Sequence, residues 1–257
     1  MWGSIIGDLA GSIYEYSQTK EVHPVFVEKI IPDDAFFSDD SILTIAVMDA
    51  ILNDRDYEKY IREYGNEFMS YKPNFSPYFK TSFSPGFIKW LKNSEVGFST
   101  GNGAMMRISP VGFMFDSLDE IKEESEKSCI CSHNTNEAIN CSKIVASIIY
   151  LARNGYSKDE IIDLLDLDIS YKAFSKFNST CNDTIGNCLY ALFTSNSYEE
   201  AVSKVISFGG DTDTNATIVG GMAEAMFGLD EKLIDDAKKK IPERFVKVLE
   251  KAYQLRK

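Results

Sequence analysis

"SFGGDTDTNATIVGGMAEAMFG" spans Ser207 to Gly228. A Gly-Gly pair leads into two Asp-Thr pairs, then into small apolar residues that close on a glycine. The apolar run reads as a helix beginning near Asn215 and stopped by Gly228. An aspartate or threonine just before it would cap the helix, because short oxygen-bearing side chains accept from its first free N–H groups. Capping needs one carboxylate. Two carboxylates one residue apart, each followed by a threonine, also form a set of hard oxygen donors of the kind that hold Mg²⁺, Mn²⁺ or Ca²⁺.

Helical periodicity continues on both sides of this stretch. "DTIGNCLYALFTS" and "SYEEAVSKVISFG" precede it, and "EKLIDDAKKKIPERFVKVLEKAYQLRK" follows, broken at Pro242. Further upstream, Asp40–Asn53, "DYEKYIREYGNEFMSY", Glu137–Gly155 and "SKDEIIDLLDL" each carry an apolar stripe. Ser157 with Glu160 three residues on forms a capping box. The best strand candidate is His23–Ile31, "HPVFVEKII". The expected fold is all-α and compact, with one domain over residues 1–257.

Five polar loops lie between the helices: Gly7 to Glu15, Phe37 to Ser41, Ser99 to Pro110, Ser132 to Asn136 and Gly209 to Asn215. "FFSDDS" puts Ser38, Asp39 and Asp40 before an apolar helix, and taken alone it reads equally as a cap cluster. Combined with Asp211, Asp213 and Thr214 it supplies six oxygen donors in two sets, enough for one or two divalent cations. Without a cation, four converging acids would repel one another. An EF-hand starting at Asp211 fails, since Ala216 and Met222 stand where Gly and Glu are required. In "STGNGAMMRISPVG", Gly101 and Gly103 would permit positive φ and an anion nest, and Arg107 would pair with a carboxylate or meet a phosphate. Asp8 would cap the helix after it. Glu15 reads as a surface residue and His133 as a cap or structural hydrogen-bonder.

Bulk composition narrows the function. The formal charge is -12, from 27 Lys and Arg against 39 Asp and Glu, so nucleic-acid binding through a basic face is not expected. Two histidines exclude a His-rich metal centre. Five cysteines without C-x-x-C spacing suit reduced thiols, and no leader or membrane span is visible, so a cytoplasmic protein is expected. Partners on this reading are small anionic ligands received by local cations or N–H groups.

The set of loops resembles the ADP-ribosylglycohydrolases. The motifs "GSIIGDLAGSIYEY", "FFSDDSILTIAVMDAI", "GNGAMMRISPVG", "SHNTNEA" and "GGDTDTNATIVGGMAEAMFG" run in that family's order over nearly the whole chain. The resemblance implies an all-α orthogonal helical bundle with a binuclear Mg²⁺ or Mn²⁺ site at the base of a cleft. It implies Ser38, Asp39, Asp40, Asp211, Asp213 and Thr214 as metal ligands, and Glu15 with Asp39 as the proton-handling acids. It assigns Gly101, Asn102, Gly103, Ala104 and Met105 to the diphosphate and distal ribose, and His133 to that ribose. The activity implied is metal-dependent removal of ADP-ribose from an ADP-ribosylated protein or small-molecule acceptor, by a monomer. The alternative is an inactive relative that binds ADP-ribose or serves as a structural protein. Two departures stand out: Ser38 replaces the family's usual threonine, and His133-Asn134-Thr135-Asn136 lacks the proline of its H-x-x-P.

Overall fold

The computed structural model describes residues 1–72, 81–93 and 95–256. Helices follow one another along the chain as α1 (Trp2–Gly11), α2 (Glu15–Gln18), α3 (Asp39–Ile51), α4 (Tyr57–Glu67), α5 (Pro85–Leu91), α6 (Gly103–Met106), α7 (Ser109–Met114) and α8 (Leu118–Ile130). The second half adds α9 (Asn136–Arg153), α10 (Lys158–Leu165), α11 (Cys181–Phe193), α12 (Tyr198–Ser207), α13 (Thr212–Phe227), α14 (Glu231–Lys238) and α15 (Glu243–Leu255). Among the described residues there is no strand, only isolated bridges at Phe98–His133 and Gly101–Thr180. The all-α expectation holds.

His23–Ile31 is not a strand. It runs as irregular chain, largely exposed, with Phe26 fully in solvent. Its apolar residues come in runs, Val25 to Val27 and Ile30 to Ile31, and among the described residues no sheet edge pairs with them. The capping box at Ser157 and Glu160 forms as expected. None of the described helices is long and apolar enough to cross a membrane.

The core is organised on α1 and α13, which pack antiparallel with their backbones in contact. Every residue of α1 is buried. A Cβ on Gly3 would lie 2.2 Å from the Gly220 carbonyl oxygen, and one on Gly7 would lie 2.1 Å from that of Ala216. Glycine at every fourth position therefore clears one face of α1 for the small residues of α13. α12, α11 and α9 pack around α13, and α3 lies against α1. Phe245 of α15 closes the far side of α3 in an aromatic cluster with Phe37, Phe68 and Tyr64.

Candidate active site

The α1–α13 contact decides where the acids meet. α13 begins at Thr212, three residues before Asn215, so the second Asp-Thr pair lies inside its first turn. Asp211 stands at the N-cap position yet makes no side-chain cap bond. Gly209 and Gly210 turn the chain into the helix at φ 73° and 77°. Side chains there would collide with the His23 carbonyl and the Asn178 amide oxygen. Asp211 is thus freed from capping, while Asp213 Oδ1 accepts from the Thr214 N–H at 2.9 Å; both side chains are buried and line the cleft.

Asp8, in the middle of α1, does not cap its own helix. It caps α3 from the side: its Oδ2 accepts from the N–H groups of Ser38 (2.9 Å) and Ser41 (3.0 Å) and from the Ser41 hydroxyl. Its Oδ1 lies 2.8 Å from Ser38 Oγ. The buried carboxylate fixes the start of α3 and so sets Asp39 and Asp40 in place. Ser38 is the N-cap of α3, its Oγ accepting from the Asp40 N–H.

Two triads of carboxylates result. Oxygens of Asp8, Asp40 and Asp213 lie within 4.8 Å of one another, and so do oxygens of Glu15, Asp211 and Asp213. Asp213 is the corner both share. Thr214 Oγ1 is 3.3 Å from Asp40 Oδ2, and Asp40 Oδ1 is buried without a partner. Asp39 joins neither triad but lines the cleft beside them with Glu15. Ser38 is packed behind Asp40, off the cleft wall.

These acids have no Lys, Arg or His counter-charge among the described residues. Burial pushes Glu15, Asp39, Asp40 and Asp213 well above the ordinary carboxylate range. Neighbouring carboxylates add to it: Asp211 acts on Glu15, and Glu15 and Asp40 act on Asp213. Burial raises Asp211 less steeply, since hydrogen bonding to Asp213, to the Asn102 amide (2.7 Å to Oδ2) and to Thr214 offsets it. Such a cluster takes up protons or divalent cations, and the orphaned Asp40 oxygen is a free donor of the type that hard cations bind. The donors are of the hard oxygen type that divalent cations take.

A cleft of about 680 Å³ opens over the acids. Gly101, Asn102, Gly103 and His133 form one wall, and Phe83, Phe87, Trp90 and Phe98 extend the lining away from the acids. Gly101 and Gly103 do not have positive φ, and they form no anion nest. The Gly101 N–H goes to Ser99 Oγ and that of Asn102 to the Ser179 carbonyl. The two glycines instead leave room over the His133 ring, where a Cβ would sit 3.6 or 3.5 Å from Nε2. Ala104 and Met105 point into the core and do not line the cleft; the helical turn of α6 presents Met106 and Arg107 there. Arg107 meets no carboxylate. It is fully buried and donates to the Ser128 carbonyl and to Ser132 Oγ.

Asn178 opens the stretch "NSTCNDTIG", ahead of α11. Its Oδ1 accepts from the Asp211 N–H at 2.8 Å, and its amide donates to Thr184 and Asn215. It holds the Gly-Gly turn that aims Asp211.

A family model described as ADP-ribosylglycohydrolase matches residues 1–257. This chain belongs to the ADP-ribosylglycohydrolase family. It is 27% identical over 157 residues to the ADP-ribosylarginine hydrolase Tri1 of Pseudomonas putida, spanning 55% of this chain and 42% of that one. It therefore covers less than half the length of that relative. Mouse ADP-ribosylhydrolase ARH3 is 21% identical over 306 residues, with 89% of this chain and 83% of ARH3 covered. A solved structure titled "ADP-ribosylglycohydrolase-related protein complex" superposes with a TM-score of 0.69 at 17% identity, over 96% of this chain and 89% of the other, and shares its fold.

Proposed function

We propose that this protein of the ADP-ribosylglycohydrolase family is a divalent-cation-dependent hydrolase. It frees ADP-ribose from an ADP-ribosylated protein or small-molecule acceptor by cleavage at C1″ of the distal ribose. The observation that carries this reading is the pair of carboxylate triads sharing Asp213, buried but for Glu15 and without a cationic partner among the described residues, at the base of a cleft. Asp40, Asp211, Asp213 and Thr214 would hold two Mg²⁺ or Mn²⁺ ions, with Asp39 beside them on the cleft wall and Ser38 buttressing Asp40 from behind. Ions there supply orientation of the ribose hydroxyls and a water acidified for attack.

The chain's own groups do the rest. Water oxygen bonds to C1″ as the bond from C1″ to the acceptor breaks. Glu15 or Asp39, both on the cleft wall, takes the water's proton and returns it to the departing acceptor atom. The sugar gains positive charge in the transition state, and the surrounding carboxylates stabilise it. Asn102 and His133 line the path of the remaining ADP-ribose, with the aromatic wall beyond.

The test is release of free ADP-ribose from ADP-ribosyl-arginine and ADP-ribosyl-serine peptides, with Mg²⁺ or with EDTA. Release that needs the cation supports the reading, and the preferred peptide names the acceptor. Binding of ADP-ribose without release from either peptide would favour the inactive relative.

A further inference from the structure

Behind His133 lies a buried chain of hydrogen bonds that the proposed reaction does not use. Arg107 Nη2 donates to Ser132 Oγ at 2.7 Å, and Ser132 Oγ lies 2.8 Å from His133 Nδ1. All three side chains are almost wholly buried. A guanidinium has only donors, so Ser132 must accept from it. The single hydroxyl proton of Ser132 is then left to donate, and His133 Nδ1 is the nitrogen or oxygen acceptor it reaches among the described residues. Donation to Nδ1 would make it the acceptor nitrogen and put the ring proton on Nε2.

The other side of the ring faces the ligand. Nε2 lies against the Gly101–Gly103 turn and has no hydrogen-bond partner among the described residues, while the ring lines the cleft. The ring also stays neutral: burial and then the Arg107 charge hold His133 well below the ordinary histidine range. Cys129 and Cys131, beside Arg107 on α8 and its end, are raised by burial and stay as thiols, and no carboxylate pairs with Arg107 among the described residues. Arg107 keeps Nε and Nη1 without partners, so an uncompensated positive charge sits behind the ring.

We propose that Arg107 and Ser132 are positioning residues that fix His133 as the Nε2–H tautomer, so that the cleft presents a neutral, pre-aimed donor to an oxygen of the bound ADP-ribose. The inference rests on the functional reading above for the ligand, and on the geometry alone for the tautomer. It also gives a reason for the fully buried arginine: replacing it would free Ser132 to turn its proton elsewhere, and the ring could then offer a lone pair where a donor is needed.

The experiment is a long-range ¹H–¹⁵N correlation spectrum of the metal-free protein at neutral pH. The chain has only two histidines, and His23→Asn leaves His133 alone in the spectrum. The expected result is a protonated Nε2 and a bare Nδ1. In Ser132→Ala the preference for that tautomer should be lost, and ADP-ribose affinity by calorimetry should fall roughly five- to tenfold, the loss expected for one neutral hydrogen bond. A wild-type spectrum with the proton on Nδ1 overturns the proposal, with or without a folded variant. So does a Ser132→Ala protein with unchanged tautomer and affinity. A wild type that shows Nε2–H yet binds no ADP-ribose overturns the functional reading and leaves the relay standing.

Discussion

Asp213 belongs to both triads, and one of its oxygens serves the helix start while the carboxylate as a whole sits among other acids. Its Oδ1 accepts from the Thr214 N–H at 2.9 Å, while Glu15, Asp40, Asp211 and Asp8 all raise its proton affinity. Glu15 differs from the others in being only half-buried, on the short helix α2 at the cleft wall. It can therefore meet solvent and ligand while the cluster behind it stays fixed. We predict that Glu15→Gln lowers turnover by about 100-fold or more, the scale of one lost acid–base group. Calorimetric affinity for ADP-ribose should stay within about threefold of wild type, a shift under 1 kcal/mol. Equal losses in turnover and affinity would make Glu15 a binding group instead.

At the scale of elements, the site is a by-product of how closely α1 and α13 approach. Gly7 precedes Asp8 and touches the Ala216 backbone, so the spacing of the two helices and the spacing of the acids are one quantity. Gly7→Ala would force a Cβ into the Ala216 carbonyl, a clash with backbone that cannot rotate away. The expected cost is about 3 kcal/mol in a denaturant melt, at the upper end for overpacking. A change below about 0.5 kcal/mol would mean that the helices can part without loss. Most helices were legible because amphipathic stripes mark them, as in α4, α9 and α12. α1 was not, since a helix buried on every side shows no stripe, and its serines and glycines read as a loop. The acids of α3 and α13 were legible through motif and chemistry. The role of Asp8 was not, because its partners Ser38 and Ser41 lie some thirty residues on. The nest expected at Gly101 and Gly103 failed for a related reason: Ser99 takes the Gly101 N–H and Ser179 that of Asn102, and nothing in "STGNG" shows that.

The whole molecule carries a formal charge of -12 and gathers Asp8, Glu15, Asp39, Asp40, Asp211 and Asp213 in one place. Each has its proton affinity raised on folding. A carboxyl raised above its unfolded value binds more protons in the folded state, so its contribution to stability is complete at acid pH and is lost as pH rises through the folded value. In EDTA the melting temperature should therefore fall between about pH 5 and pH 8, the side of the ordinary carboxylate range toward which these groups are pushed. Millimolar Mn²⁺ should flatten that slope, because a cation replaces the protons. A metal-free melt that is flat across this range would show that the carboxylates share their charge at no cost. The claim on which the rest depends is that Asp213 joins two cation sites, and equilibrium dialysis against Mn²⁺ tests it most directly. The account predicts roughly two ions per wild-type chain, as in a two-metal hydrolytic centre. It also predicts that Asp213→Asn needs at least about tenfold more free Mn²⁺, roughly 1.4 kcal/mol, to fill either site. A folded Asp213→Asn protein that binds as many ions as the wild type at the same free Mn²⁺ would contradict it.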